Sequence, residues 1–342
     1  MSTTATVPAT DRSSRLHRDH GLRRAVLAIG VQNLSLLLAI TVLVLSIGSQ
    51  NSAFYLTSNL KTIGMAVTIS GLLAVVQTVV IIMGGIDLTV GSVAGLASVS
   101  SAMIFSQAGA AVSIVAALAI GAVCGVISGA IVVFGRVTPM IATLAGLIAF
   151  KGVAQLVSDG RAQGYTGADD LYIFLSRGSV IGVPTLVWVL AVVAVLVHLM
   201  LRYSRVGRNI YAVGGNDTAA RLSGVNINRY IIGVFVLAGT VAALAGVLIT
   251  ARTGSGQPVS GSEGLEFQSI TAAALGGVAL RGGKGTIGGT ILAVILLGVL
   301  LNGMSLLGVN PFWQNVAQGT LLVAAVVIQQ LRSGERRVGL PK

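Results

Sequence analysis

With 342 residues, 54% of them hydrophobic and only 9% charged, and a mean hydropathy of +0.90, the chain is too apolar for a water-soluble domain, and runs long enough to span a bilayer are expected. The net charge of +12 would suit nucleic acid in a soluble protein, but here the basic residues flank apolar runs and read as topology signals, which excludes that role. The single cysteine, Cys124, lies in an apolar run with no partner, so there is no disulfide framework or thiol metal site, and it reads as a small packing residue.

Residues 1–23 form a polar, basic tail. The apolar segment that follows is about 24 residues long, beyond the roughly 7–15 of a signal-peptide core, so it is expected to remain as a span. Apolar runs bounded by charge or by Gly and Pro predict spans near 24–48, 60–82, 88–106, 110–134, 139–157, 185–201, 229–251, 265–280, 286–306 and 312–331. The expectation is an all-α polytopic bundle of about ten spans forming one domain over 24–331, with a second tail at 332–342. The 45 glycines argue for tight packing, since spans approach closely where side chains are small. An even count puts both tails on one side. With the tails in the cytoplasm, the outer side holds only Lys61, Lys151, Arg161, Arg177 and Arg252 of the 22 Lys and Arg, which is the positive-inside pattern.

Three stretches are broken by Gly or Pro: "MGGIDLTVGS" (83–92), "RVTPMIATLAG" (136–146) and "LGGVALRGGKGTIGG" (275–289). Interruptions at membrane depth are tolerated only where protein or a water-filled cavity covers the freed backbone groups. Gly84-Gly85-Ile86-x-Leu88 also resembles Gly276-Gly277-Val278-x-Leu280, a hint of internal duplication.

Between two long apolar runs lies the polar segment 202–229. Within it Asp217 is expected as N-cap, Thr218 to Ser223 as about two helical turns, and Gly224 as a left-handed terminator. So short a helix is marginal in water unless it docks on something. It is expected to lie across the membrane surface and present Ala219, Ala220, Arg221 and Leu222 to a partner; the plainer reading is a solvated loop turn.

"GRNIYAVGGNDTAARLSGVNINR" (207–229) resembles the cytoplasmic coupling segment of the permease subunits of ABC importers for monosaccharides, the ribose/xylose/galactose type. "GGIDLTVGSVAGL", "TPMIATLAGLIAFKG" and "ITAAALGGVALRGGKGTIGGTILAVILLGVLLNGM" resemble that family's signatures in the expected order, so the resemblance covers residues from about 55 to 331. "QGYTGADDLYIF" (163–174) departs from the family's wording in an outer loop and leaves the sugar open. The resemblance implies a multi-pass protein of the bacterial inner membrane with both termini cytoplasmic, paired with a second permease subunit as a homodimer or heterodimer. It also implies two ATPase subunits below, which hold ATP and Mg, and an extracytoplasmic sugar-binding protein above. On this resemblance Asn216 to Gly224 is the coupling helix seated in the ATPase. Permeases for branched-chain amino acids and for signalling furanones are cousins that share the broken spans.

No chemistry of the chain's own is expected. "GGVALRGGKGT" lacks a phosphate loop's Gly at 278 and Ser or Thr at 285, where Val278 and Gly285 stand. His17, His20 and His198 give no metal-ligand spacing, and no GxSxG occurs. The only ionisable candidates within spans are Asp87 and, near an outer end, Lys151. Asp87 reads either as N-cap and dipole partner of the following helix or as a hinge near the translocation path. Few intramembrane charges argue against an ion-coupled carrier, which is the rival reading. Gln77, Asn302, Gln314, Asn315 and Gln318 are candidate path residues or, equally, interhelical glue. Mixed charges in the outer loops 158–184 and 252–264 suit a transient partner or plain solvation.

Overall fold

A computed structural model describes residues 30–164, 169–259 and 262–333. The basic tails expected at 1–23 and 332–342 lie outside them, apart from the last two residues of the final helix. In chain order the helices are α1 (Val31–Gln50), α2 (Thr57–Ile82), α3 (Val90–Phe134), α4 (Pro139–Val157), α5 (Asp170–Arg177), α6 (Thr185–Tyr203), α7 (Arg205–Gly215), α8 (Asp217–Leu222), α9 (Ile227–Thr253), α10 (Leu265–Leu275), α11 (Ile287–Leu306) and α12 (Pro311–Ser333). Two-residue strands add only local pairings: β1 (Gln163–Gly164) with β4 (Ser255–Gly256), and β2 (Ser179–Val180) with β3 (Val183–Pro184), both antiparallel.

Among the described residues eight helices are long and apolar enough to cross a membrane. Eight such helices correspond to the ten expected spans for two reasons. The spans predicted at 88–106 and 110–134 are the two limbs of α3, which reverses at Gly109, where φ is 80° and ψ 176°. Residues 265–280 do not form a span of their own. The helix there stops at Leu275, and the described residues of 254–259 and 262–264 double back along α3 to reach its start. Gly256 packs against Ser98 and Val99, Pro258 against Gly95, and Ser262 against Gly91. The amide of Gln257 donates to Ser98 Oγ at 3.0 Å, which satisfies a backbone group of this re-entrant segment inside the bundle.

The glycines pack as expected where the second limb of α3 runs antiparallel to α9. A Cβ on Gly121 or Gly239 would overlap the other's carbonyl, and one on Gly125 would overlap that of Phe235, so the two backbones touch directly. The first limb runs alongside α9 with Thr250 Oγ1 bonded to the Ser98 carbonyl at 2.9 Å. Because α9 starts at Ile227, this register lifts Ala94, whose carbonyl lies against Gly246, about 28 Å from that end at 1.5 Å per residue. Helix α3 therefore begins at membrane depth, and residues 83–89 are the non-helical part of a broken span.

The bundle has two end faces. One carries α7, α8, the turns at 83–85 and 135–139, the loop 276–286 and the described ends of α1 and α12. Gln32 donates to the Leu275 carbonyl and Gln329 to that of Val278. Arg136, Arg202, Arg205, Arg208, Arg221, Arg229, Arg281 and Lys284 gather on this face. The opposite face carries Lys151, Arg161, Arg177 and Arg252 together with Asp159, Asp169, Asp170 and Glu263, and Lys151 pairs with Glu263 at 2.9 Å.

Candidate functional site: a surface helix tied to two broken spans

Helix α8 forms as its sequence requires, one residue earlier than expected. Its cap is Asn216, extended at φ −162° and ψ 100°, whose Oδ1 accepts the Ala219 amide at 2.9 Å. Asp217 is already helical and its Oδ1 accepts its neighbour Thr218's amide at 2.7 Å, so the carboxylate serves the first turn without capping it. Gly224, at φ +83°, ends the helix with bonds from its own amide to Arg221 and from Val225 to Ala220, as expected of a left-handed terminator.

The helix presents one face and anchors the other. Ala219 and Arg221 are exposed, and Leu222 is 85% exposed. Ala220 is buried at 4% and joins the core with Ile227, so it holds the helix down, contrary to the expectation that it meets a partner. Helix α7 fixes the near end: Ile210 and Val213 are buried, Tyr211 donates its hydroxyl to the Gly285 carbonyl at 2.8 Å, and Asn209 bonds Tyr230 of α9.

Both span breaks end on the same turn type. At the end of α2, Gly84 (φ +96°) bonds back to Ile81 and Gly85 to Val80; at the end of α10, Gly277 (φ +87°) bonds to Ala274 and Val278 to Ala273. By this turn Gly84 matches Gly277, one residue off the register suggested by the Gly-Gly pairs; the same turn also closes helices at Gly224 and Gly308, so it marks a helix end and not by itself a duplication. The lead-in to α8 sits between the breaks: a Cβ on Gly214 would overlap the Ile82 carbonyl and lie 2.8 Å from the Gly283 nitrogen, and Gly283 donates to that same carbonyl at 2.7 Å.

The candidate path residues separate into two groups. Gln77 and Asp87 come together, fully buried, at the first break. With its amide oriented to satisfy both atoms, Gln77 donates to the Asp87 carbonyl at 3.0 Å and accepts the Asp87 amide at 3.2 Å. Asp87 Oδ1 accepts the Thr89 amide at 2.8 Å and its hydroxyl at 2.6 Å, an Asx turn leading into α3, whose cap is Thr89. Asn302 instead exchanges amide bonds with Asn59 at 2.9 and 3.1 Å, and Gln314 bonds Ser305 at 3.0 Å, both toward the opposite face. Gln318 sits half-buried one turn on in α12, away from both pairs.

Several polar residues at the breaks escaped the sequence reading. Thr143 bonds the Ile86 carbonyl at 3.1 Å, while Gln32 and Gln329 satisfy carbonyls at the second break. Glu266, in the first turn of α10, is buried with its carboxylate over Gly91, so the intramembrane carboxylates number more than Asp87. Its signal was present in the predicted span 265–280, one residue in from the start.

An apolar bundle whose spans break at depth and whose breaks meet a surface helix has the architecture of a multi-pass membrane transport protein. The chain belongs to the family described as branched-chain amino acid transport system / permease component, whose model matches residues 59–326. It is 39% identical over 295 residues to the ribose import permease protein RbsC of Escherichia coli K12, covering 85% of this chain and 92% of that one. It is 36% identical to RbsC of Bacillus subtilis 168, over 89% and 94% of the two chains, and 34% identical to the L-arabinose transport system permease protein AraH of E. coli K12, over 82% and 84%. These relatives bear out the resemblance read from the motifs. No solved structure matches.

Proposed function

We propose that the chain is the membrane-spanning permease subunit of an ATP-driven importer that moves a monosaccharide, a pentose or hexose, inward by alternating access. It has no ATPase site of its own and works with separate ATPase subunits that hold ATP and Mg, a second permease subunit and an extracytoplasmic sugar-binding protein. The α8 face is then cytoplasmic and both termini lie on that side, in the bacterial inner membrane.

The observation that carries the reading is the junction of Ile82, Gly214 and Gly283, because it gives an exposed helix a stiff backbone route to both broken spans. A surface helix that only capped a loop needs no such tie. Sugar is favoured as cargo because the relatives RbsC and AraH are named as ribose and L-arabinose permeases. The family description favours a second reading, a branched-chain amino acid as cargo.

The test is uptake into vesicles holding the chain with its cognate ATPase and binding protein. Pentose or hexose uptake that requires ATP is expected. Leucine uptake in its place would transfer the assignment to the second reading, and uptake driven by a proton or sodium gradient without ATPase would overturn both.

A further inference from the structure

A cleft of about 520 Å³ opens on the α8 face between the end of α6, helix α7 and the start of α11. His198, Arg202, Arg208, Tyr211 and Thr286 line it. Three features decide what it suits.

Its charge is positive and unneutralised. Among the described residues neither Arg202 nor Arg208 has a carboxylate within ion-pair distance. Asp217, the carboxylate carried by this face's surface helices, is engaged with Thr218. Tyr211 is held by its bond to Gly285, and burial raises its phenol above the usual range against the opposing charge of Arg202.

The wall opposite the arginines is a helix start. Thr286 caps α11 by accepting the Gly289 amide, which leaves the earlier amides of this 20-residue helix without an intrahelical acceptor at a wall of the cleft that Thr286 and Ile287 line.

The cleft lies at headgroup level. Helix α6 spans 19 residues, about 28 Å, close to the ~30 Å of a hydrocarbon core. It carries exposed Trp188 near one end and exposed Tyr203 at the other, the places where amphipathic rings mark the two interfaces. Arg202 adjoins Tyr203, and above it on the same stripe of α6, three and seven residues back, Leu199 and Val195 are exposed. An anion seated between the arginines thus has an apolar track beside it for acyl chains.

We propose that this cleft binds the phosphate of an anionic glycerophospholipid from the adjoining leaflet, with Arg202 and Arg208 as its charge partners. A free phosphate shares the headgroup chemistry but makes no use of the apolar track. The proposal does not depend on which solute the protein carries.

The test uses the full chain in nanodiscs of phosphatidylcholine titrated with phosphatidylglycerol, with native mass spectrometry reading the retained lipid. Phosphatidylglycerol is expected to be enriched on the native chain. Arg202→Gln with Arg208→Gln is expected to weaken its apparent affinity roughly 30-fold, from the typical worth of two basic residues at an anionic surface. Arg161→Gln with Arg177→Gln, on the opposite face, is expected to leave it unchanged. Should the glutamine pair fail to fold, Arg202→Lys with Arg208→Lys keeps the charge and is expected to retain most of the binding. Equal retention by native chain and glutamine pair, or lost retention by the folded lysine pair, overturns the proposal. Displacement of the lipid by millimolar inorganic phosphate assigns the cleft to a free anion instead. Loss of ATPase co-purification with lipid retention unchanged assigns the arginines to a protein partner, which also overturns it.

Discussion

The carbonyl of Ile82 accepts the backbone amide of Gly283 at 2.7 Å, so the last residue of α2 is tied directly to the loop that follows α10. A helix's terminal carbonyls lack partners within the helix, and here one is satisfied across 200 residues of sequence by the equivalent region of the second break. The backbone of Gly214 presses on the same oxygen, so any displacement of α7 and α8 reaches both breaks through main-chain atoms. Side chains hop between rotamers and absorb motion, whereas backbone in contact with backbone has little slack.

Gly214→Ala tests that junction. The added Cβ overlaps a carbonyl that is already hydrogen-bonded, so the backbones must separate, at a cost of roughly 1–3 kcal/mol. Gly215→Ala is the matched control, since nothing lies within 4 Å of its Cβ position. A lowered unfolding midpoint and uncoupled transport are expected for Gly214→Ala, and near-native behaviour for Gly215→Ala. Equal midpoints and transport for the two variants would remove the junction from the mechanism.

The cap assignment separates two adjacent residues. Asn216→Ala is expected to cost α8 about 1 kcal/mol of local stability, because the Ala219 amide loses its acceptor. Asp217→Ala removes only a favourable first-turn charge, a smaller loss. Hydrogen exchange at the Ala219 amide reads the difference, and faster exchange in Asp217→Ala than in Asn216→Ala would return the cap to Asp217.

Residues on the two sides of α8 are expected to behave oppositely. Leu222→Asp and Arg221→Glu alter exposed side chains and are expected to leave the unfolding midpoint unchanged while reducing co-purification of the ATPase. Ala220→Asp places a carboxylate among Ile227 and its neighbours and is expected to destabilise the chain before any partner is added. ATPase retention unchanged by Leu222→Asp would refute the coupling role.

Much of this was legible in the sequence because it rests on local rules. Gly224 announces a left-handed terminator, apolar length announces spans, and broken runs announce re-entry. What stayed illegible depends on distant partners. Asn216 and Asp217 are both good caps, and the choice follows from where α7 ends, which Gly214 fixes by fitting against Ile82. Residues 265–280 have the composition of a span, but the segment before them doubles back along α3, so half the crossing is already made when α10 begins. The Gly-Gly pairs match by letter at an offset that the turn geometry shifts by one, since the constraint is positive φ at Gly84 and Gly277 and not the pairing of glycines.

Gln77 shows why a polar residue in a span is ambiguous. Its amide serves both main-chain groups of Asp87, so it substitutes for the helical bonds lost where α2 gives way to the non-helical segment 83–89. Gln77→Met keeps the volume and removes both bonds, leaving a buried donor and acceptor unsatisfied at about 1–3 kcal/mol each. Gln318→Met, on the half-buried face of α12, is expected to change stability little. Thermal unfolding of the two purified variants decides the matter. A large drop for Gln77→Met, with solute affinity in any surviving protein unchanged, identifies a backbone strut. Native stability with altered solute specificity would return Gln77 to the translocation path.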